Sequence, residues 1–189
     1  MPVPVFSVPS LSVPVLSVVA LCLASSPVLA DLVLTSPDFA DGGTLPPAQM
    51  LNVFGCDRAN LSPALAWSGA PEGTQSFVLT AFDPDAPTGS GWWHWVVVNI
   101  PADATGLDQG ASPAALPAGA VETRTDFGPP GFGGACPPEG AKPHRYIFTL
   151  YAIPEPALPL EAGSSGAMVG FYAKATALES ATLTATFGR

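Results

Sequence analysis

Basic side chains are few in this sequence. Its 189 residues contain six Lys and Arg and two His against fifteen Asp and Glu, and the formal net charge is −9. The basic residues form no run along the chain, and an acidic domain repels phosphate backbones at long range. We therefore expect no nucleic acid partner.

Charged residues as a whole are also scarce, at 11% of the chain, whereas hydrophobic residues make up 48% and proline occupies 23 positions. A chain with this apolar and aromatic content can bury a core, which excludes an intrinsically disordered protein. Frequent proline is unfavourable in long helices. The composition therefore favours a compact, loop-rich β-protein with one domain.

The first 30 residues lack any charged side chain. Their apolar run LSVVALCLA is followed by Val28 and Ala30, which is the pattern of a secretory signal and its cleavage point. A membrane anchor, the alternative, needs about 20 mainly apolar residues, and five prolines interrupt this segment. We expect residues 1–30 to be a signal peptide, residues 31–189 to be a single domain, and the protein to be periplasmic or secreted.

Two cysteines, Cys56 and Cys136, lie in the expected mature domain. An exported protein meets an oxidising compartment, where a pair of thiols can close. We expect a disulfide between them. Two free thiols are the alternative, because the sequence gives no separation between the two Cα atoms.

Several short segments are rich in β-branched and aromatic residues, or alternate apolar with polar residues, and are bounded by Pro, Gly and Asp. These predicted strands are residues 32–36, 76–82, 93–100, 145–153 and 181–187. The stretch with helical composition is 166–178, where Met168, Phe171, Tyr172 and Ala175 fall at helical spacing. Short strands with one late helix predict a mainly β fold, an antiparallel β-sandwich with a short C-terminal helix.

The segment DPDAPTGSGWWHWVVVNI, residues 83–100, contains the densest group of polar side chains. A strand ends here on Asp83 and Asp85, turns through Pro and Gly, and returns through a histidine. The two aspartates share parity, so an extended backbone across Pro84 would point both carboxylates to the same side.

His94 follows on the returning strand of this segment. It shares parity with Val96 and Val98, which predicts a half-buried ring that faces inward, while Trp93 and Trp95 face the other way. A hydrogen-bonded core histidine is the alternative interpretation.

A second polar segment, PPGFGGACPPEGAKPHRY, covers residues 129–146 and leads into His144 at the start of a strand. Its glycines would let backbone N–H groups approach a ligand. The Ala-, Pro- and Gly-rich residues 102–120 predict a long surface connection, which could form the rim of a pocket.

Three kinds of chemistry are open to two Asp, two His and a glycine-rich loop. Imidazoles and backbone N–H groups hold an anion such as phosphate through charge-assisted hydrogen bonds. The same groups match zinc or iron sites, although no HExxH pattern is present. A histidine could instead act as general base for Ser90 or Cys136, but no GxSxG elbow supports this. We favour the first, and expect no enzymatic activity, no metal and no cofactor.

Three motifs occur together and in order: NLSPALAWSGAPEGTQSFVLT, DPDAPTGSGWWHWVVVNIP and GACPPEGAKPHRY. They resemble the phosphatidylethanolamine-binding protein family, and in particular its bacterial Raf-kinase-inhibitor-like branch. The resemblance extends over about residues 32–189.

The resemblance implies an antiparallel β-sandwich with a small anion pocket at one end, able to take phosphate or the head group of a phospholipid. By motif match, the ligand-binding residues are Asp83, Asp85, Pro87, His94, Gly134, Ala135, Cys136, His144 and Tyr146. Cys136 stands where relatives with kinase-inhibitory roles carry Gly, so the loop keeps a backbone N–H but admits a cross-link.

We therefore expect an exported, non-enzymatic binder of a phosphate-bearing or other anionic small ligand, or of a phospholipid head group. The alternative is an inhibitor directed at a protein, such as a protease or a signalling partner, through surface loops 40–62 and 102–132. A protein partner and a homodimer are open on this interpretation.

Overall fold

The computed structural model describes residues 1–4 and 31–189. The predicted signal peptide, residues 1–30, lies outside the described residues apart from its first four, and its cleavage point stays a prediction. Within the part of the chain that the structure describes, no helix is long and apolar enough to cross a membrane.

The described residues form nine strands, one α-helix and one short 3-10 helix at Pro47–Gln49. The strands are β1 (Val33–Thr35), β2 (Gly43–Thr44), β3 (Leu65–Ser68), β4 (Ser76–Asp83), β5 (Trp92–Pro101), β6 (Gly106–Leu107), β7 (Val121–Glu122), β8 (His144–Ile153) and β9 (Glu179–Phe187). The α-helix, α1, spans Gly166–Thr176. The predicted strands and the late helix are confirmed.

Two sheets make up the sandwich. The larger has six strands in the order β2-β9-β8-β4-β5-β7, and the smaller has three in the order β1-β3-β6. The short β2 pairs in parallel with β9, whereas the remaining pairings between these strands are antiparallel. The predicted antiparallel β-sandwich is confirmed, with long β4, β5 and β8 adjacent at its centre.

The large sheet is buried on both faces because it lies between two layers. One face packs against the small sheet through large side chains that include Trp95 and Phe148. The other face packs under α1, where Val96 of β5 joins a cluster with Val169 and Ala173 of the helix. Burial on both faces explains why the central strands are continuous apolar runs.

Helix α1 lies against the sheet through small residues. Its N-cap is Ser165, whose hydroxyl oxygen accepts the Met168 N–H at 3.2 Å. A Cβ at Gly166 would stand 2.4 Å from the Trp93 ring, so glycine is required there. The apolar spacing through Met168 and Phe171 marks the exposed side of the helix, not the buried one.

Candidate functional site

The site begins where β4 ends beside the start of β8. Asp83 is buried, and its Oδ2 lies 2.7 Å from Nδ1 of His144. Its Oδ1 accepts the backbone N–H groups of Asp85 and Ala86, at 2.8 and 3.1 Å. A carboxylate that accepts these bonds holds the His144 proton on Nδ1, which leaves Nε2 for a ligand.

Asp85 does not share this position with Asp83. The chain leaves β4 in a turn at Pro84, and the Asp85 carboxylate accepts three bonds from Arg145: one from the backbone N–H, at 2.9 Å, and two from the guanidinium, each at 2.8 Å. These bonds lower the pKa of Asp85 to about 2. The carboxylate lines a neighbouring groove with Lys142, so the prediction that both aspartates point to one side is wrong.

His94 lies at a β-bulge in β5. Ala81 on β4 pairs with Trp95 and Phe82 pairs with Trp93, so His94 is the extra residue between the two pairs. The bulge resets the alternation of side chains: Trp93 packs on the helix face, and Trp95 lies between the sheets. The prediction that these two tryptophans share a face is wrong.

The bulge also changes the side of the sheet on which the His94 ring lies. Val96 and Val98 pack under the helix, whereas the His94 ring meets Tyr146 and Phe127 edge-on, with centroids 5.1 and 5.4 Å away. Tyr146 belongs to the core between the sheets. The His94 residue is 5% exposed, so it is buried and not half-buried as predicted.

The protein holds one nitrogen of His94. Nδ1 lies 2.7 Å from the carbonyl oxygen of Gly133, and because a carbonyl only accepts, Nδ1 carries the proton. Burial lowers the pKa of His94, and the bond to Gly133 opposes this only in part. The ring is therefore neutral at pH 7, with a lone pair on Nε2.

The glycine-rich loop packs against protein instead of presenting its N–H groups to a ligand. Gly134 N–H donates to Asn60 Oδ1 at 2.7 Å, and Ala135 N–H donates to the Gln49 carbonyl at 3.1 Å. A Cβ at Gly134 would lie 2.3 Å from that same carbonyl oxygen. The structure places Gly134 and Ala135 behind the wall of the cavity, which corrects the prediction that their N–H groups approach a ligand.

A cavity of about 250 Å³ opens above the two histidines. Five of the predicted site residues line it: Pro87, His94, Cys136, His144 and Tyr146. Sequence reasoning missed eight others: Leu51, Phe54, Ala86, Thr88, Trp92, Phe127, Pro137 and Pro138. Trp92 and the two prolines stood inside the recognised motifs, whereas Phe54 carried no local signal.

Two buried hydrogen-bond donors on this cavity have no partner among the described residues. They are the indole N–H of Trp92 and the hydroxyl of Tyr146. Burial raises the pKa of Tyr146, and the negative charge of Asp83 adds to that shift, so the phenol stays protonated. Buried donors usually have acceptors, and an acceptor on a ligand would satisfy both.

The rim of the cavity is cross-linked. Cys56 and Cys136 form a disulfide with Cα atoms 6.1 Å apart, although 80 residues separate them in sequence. Beside it, the Arg189 guanidinium donates to the carbonyls of Pro137, at 2.6 Å, and Gly55, at 3.1 Å. The two loops that close the cavity are thus tied by one covalent and two polar links.

Other predicted features lie away from the cavity. Residues 102–120 do not line it, so they form no part of its rim. Ser90 is exposed in the turn after β4 and is also not a lining residue. Within residues 1–4 and 31–189, no group of three or more His, Cys, Asp and Glu side chains could hold a metal ion.

A β-sandwich whose central strands end on a concave, aromatic-walled cavity with two histidines defines a ligand-binding class of protein. The family model described as phosphatidylethanolamine-binding protein matches residues 35–188, and the chain belongs to this family. The family assignment from the three sequence motifs is confirmed.

Similar proteins cover nearly the whole domain. YbhB of Escherichia coli is 53% identical over 156 residues, which are 82% of this chain and 98% of that protein. The crystal structure of Escherichia coli YbcL matches with a TM-score of 0.82 at 48% identity and covers 85% of this chain and 99% of that chain. LppC of Mycobacterium tuberculosis, named as a candidate lipoprotein, is 35% identical over 162 residues, which are 86% of this chain and 75% of that protein.

Proposed function

We propose that this protein is an exported, non-enzymatic binder of a small phosphate-bearing or other anionic ligand, free or as a phospholipid head group. The observation that carries the proposal is a set of four polar groups, on side chains that line one cavity, with no hydrogen-bond partner among the described residues. They are the two Nε2 atoms of His94 and His144, the Trp92 indole N–H and the Tyr146 hydroxyl.

An oxyanion satisfies this set better than a neutral apolar molecule does. Trp92 and Tyr146 donate, and a ligand oxygen with several lone pairs accepts from both. The Asp83 carboxylate holds Nδ1 of His144, so the ring presents Nε2 to the cavity, and as an imidazolium it donates from that atom to a ligand oxygen. The net charge of −9 does not oppose binding at this range, because salt screens charges over about 8 Å.

His94 adds a condition on the protonation state of the ligand. Because its ring is neutral at pH 7, Nε2 accepts a hydrogen bond from the ligand instead of donating one. The monoanion of a phosphate monoester, with one P–OH group and three other oxygens, satisfies both the acceptor at His94 and the donors. A phosphate monoester is therefore bound best below its second pKa, about 6, whereas a phosphodiester head group has no P–OH group to donate to His94.

Binding without turnover is supported by the state of the possible nucleophiles. Cys136 is in a disulfide and has no thiolate, and Ser90 lies away from the cavity. Export is supported by that same disulfide, since such bonds persist in oxidising compartments, and by the likeness to LppC.

Calorimetric titration of the purified chain tests the proposal. Inorganic phosphate and glycerophosphoethanolamine are the two probes, because they separate a free anion from a lipid head group. We expect His144→Ala to weaken binding of the effective probe at least tenfold. Lys174→Ala, which changes an exposed cation of α1 far from the cavity, is the control and should bind as the parent does. Equal affinity in the parent, His94→Ala and His144→Ala would sink the assignment.

A further inference from the structure

Phe54 is an aromatic residue held in an unfavourable place. Its side chain is at the mouth of the cavity and the residue is 74% exposed to solvent. Its φ is +56°, in the left-handed region that non-glycine residues rarely adopt. Such strained positions cluster where a protein holds a ligand. Because the Phe54 ring is exposed, it buries little apolar surface that could offset the strain.

The surrounding contacts fix this ring in spite of its exposure. Phe54 stacks on Phe127 with centroids 6.3 Å apart and planes 19° from parallel. Cys56, two residues after Phe54, is bonded to Cys136. The carbonyl of Gly55, between Phe54 and Cys56, accepts a hydrogen bond from the Arg189 guanidinium. The loop therefore presents one face of a phenyl ring at a defined position.

Further rings lead from Phe54 to the floor of the cavity. Phe127 meets Trp92 edge-on at 5.3 Å and His94 edge-on at 5.4 Å. Phe127 packs directly on the backbone of Gly133, since a Cβ at that glycine would stand 2.2 Å from the ring. A ligand that reaches the histidines thus passes along a wall of aromatic edges and faces.

The Phe54 and Phe127 pair also limits the cavity. A second cavity, of about 290 Å³, is also lined by these two rings and by Leu51, so the pair borders both spaces. The first cavity, of about 250 Å³, exceeds the roughly 150 Å³ that holds one benzene ring in an apolar site. It has room for one aromatic ring and a small anionic group.

We propose that Phe54 is a specificity-determining residue, and that the ligand class of this site is aromatic compounds carrying a phosphate or similar anionic group. The anion lies at the two histidines, and the aromatic ring lies against Phe54 at the mouth. The disulfide is a positioning element, since it holds the loop that presents Phe54. This inference rests on the function proposed above, because the anionic group would bind at the same two histidines.

Paired esters of equal size test the aromatic preference. Phenyl phosphate and cyclohexyl phosphate carry an aromatic and a saturated six-membered ring on the same phosphate group, and at pH 5 both are mainly monoanions. Aromatic pairing is worth a roughly two- to tenfold difference in Kd. We expect the parent chain to bind phenyl phosphate tighter by that factor. In Phe54→Leu, which keeps an apolar side chain but removes the ring, the ratio of the two Kd values should fall to about one.

Phe171→Leu is the matched control, because Phe171 is an equally exposed phenylalanine, at 72%, on α1. It should keep the ratio of the parent. Equal Kd values for the two esters in the parent chain, or a preference that survives in Phe54→Leu, overturns the inference. Inorganic phosphate separates the two proposals: if it binds and the esters do not differ, only the aromatic preference fails, whereas absence of all phosphate binding removes the proposed function.

Discussion

The floor and the rim of the cavity are built in different ways. The floor consists of side chains at the ends of β4, β5 and β8, including Asp83 and His144, and hydrogen bonds within the sheet hold them in place. The rim consists of loops that carry Phe54 and Cys136, and a disulfide and Arg189 hold these. Such a division assigns anion affinity to the floor and ligand selectivity to the rim, so changes in the two regions should have separable effects.

The disulfide is expected to give the largest change in stability. On the chain-entropy model, a cross-link spanning 80 residues stabilises the fold by roughly 4 kcal/mol. Cys56→Ser with Cys136→Ser should lower the free energy of unfolding by about that amount in urea denaturation. Because the floor is built by strands, phosphate affinity should fall less than it does in His144→Ala. A loss of phosphate binding equal to that in His144→Ala, in a variant that is still folded, would contradict the separation of floor and rim.

The next largest effect is expected at Asp83. Asp83→Ala leaves the His144 N–H and two backbone N–H groups without their acceptor in a buried site, which costs about 3 kcal/mol. Urea denaturation should show this loss, and calorimetry should show weakened phosphate binding. Asp85→Ala removes a carboxylate two residues away on the surface and should cost much less. Equal losses in the two variants would mean that Asp83 does not organise the floor.

The floor was the more predictable region because it follows from local patterns. Strands β4, β5 and β8 are dense in β-branched and aromatic residues, and two of them carry a histidine beside a loop of Pro and Gly. Antiparallel pairing of β4 with β8 then brings Asp83 and His144 together at one end of the central strands. Short motifs and strand composition are enough for that much.

The side-chain directions predicted from strand alternation were wrong where the backbone departs from an extended strand. The turn at Pro84 sends Asp85 to the surface, and the bulge at His94 puts Trp93 and Trp95 on opposite faces. Neither departure has a period that a sequence pattern reveals. A one-residue bulge reverses the side of everything beyond it, which is why the faces of β5 were predicted wrongly.

Most residues of the rim were not predicted from the sequence. Phe54 and Phe127 lie in loops 73 residues apart, without periodicity, and tertiary contacts alone bring their rings together. Only the pair of cysteines indicated that two distant loops meet. The glycines of the second loop were interpreted as ligand contacts, but Gly134 is required where the loop packs closely on Gln49.

His94 should make the floor sensitive to acid. Its folded-state pKa lies below the ordinary value of about 6.5, so the unfolded chain takes up the proton more readily. Stability from this residue is therefore present above about pH 6.5 and declines as the pH falls, by at most about 1.4 kcal/mol per pH unit. Urea denaturation between pH 7.5 and 5 should show this slope, and His94→Gln should flatten it. If the free energy of unfolding of His94→Gln changed with pH as steeply as that of the parent, the titrating group would be a residue other than His94.

Asp85 is expected to give the smallest effect, and at a lower pH than His94. Its pKa is lowered from 3.8 to about 2, chiefly by hydrogen bonds from Arg145, so its contribution is present above about pH 3.8 and is lost as the pH falls toward 2. The pair is partly exposed, and solvent screens it. Thermal unfolding of the parent and of Asp85→Asn should differ slightly at pH 6 and converge near pH 2, with phosphate affinity at pH 6 little changed. A difference in Tm that persists at pH 2 would show that Asp85 acts through the geometry of its turn and not through its charge.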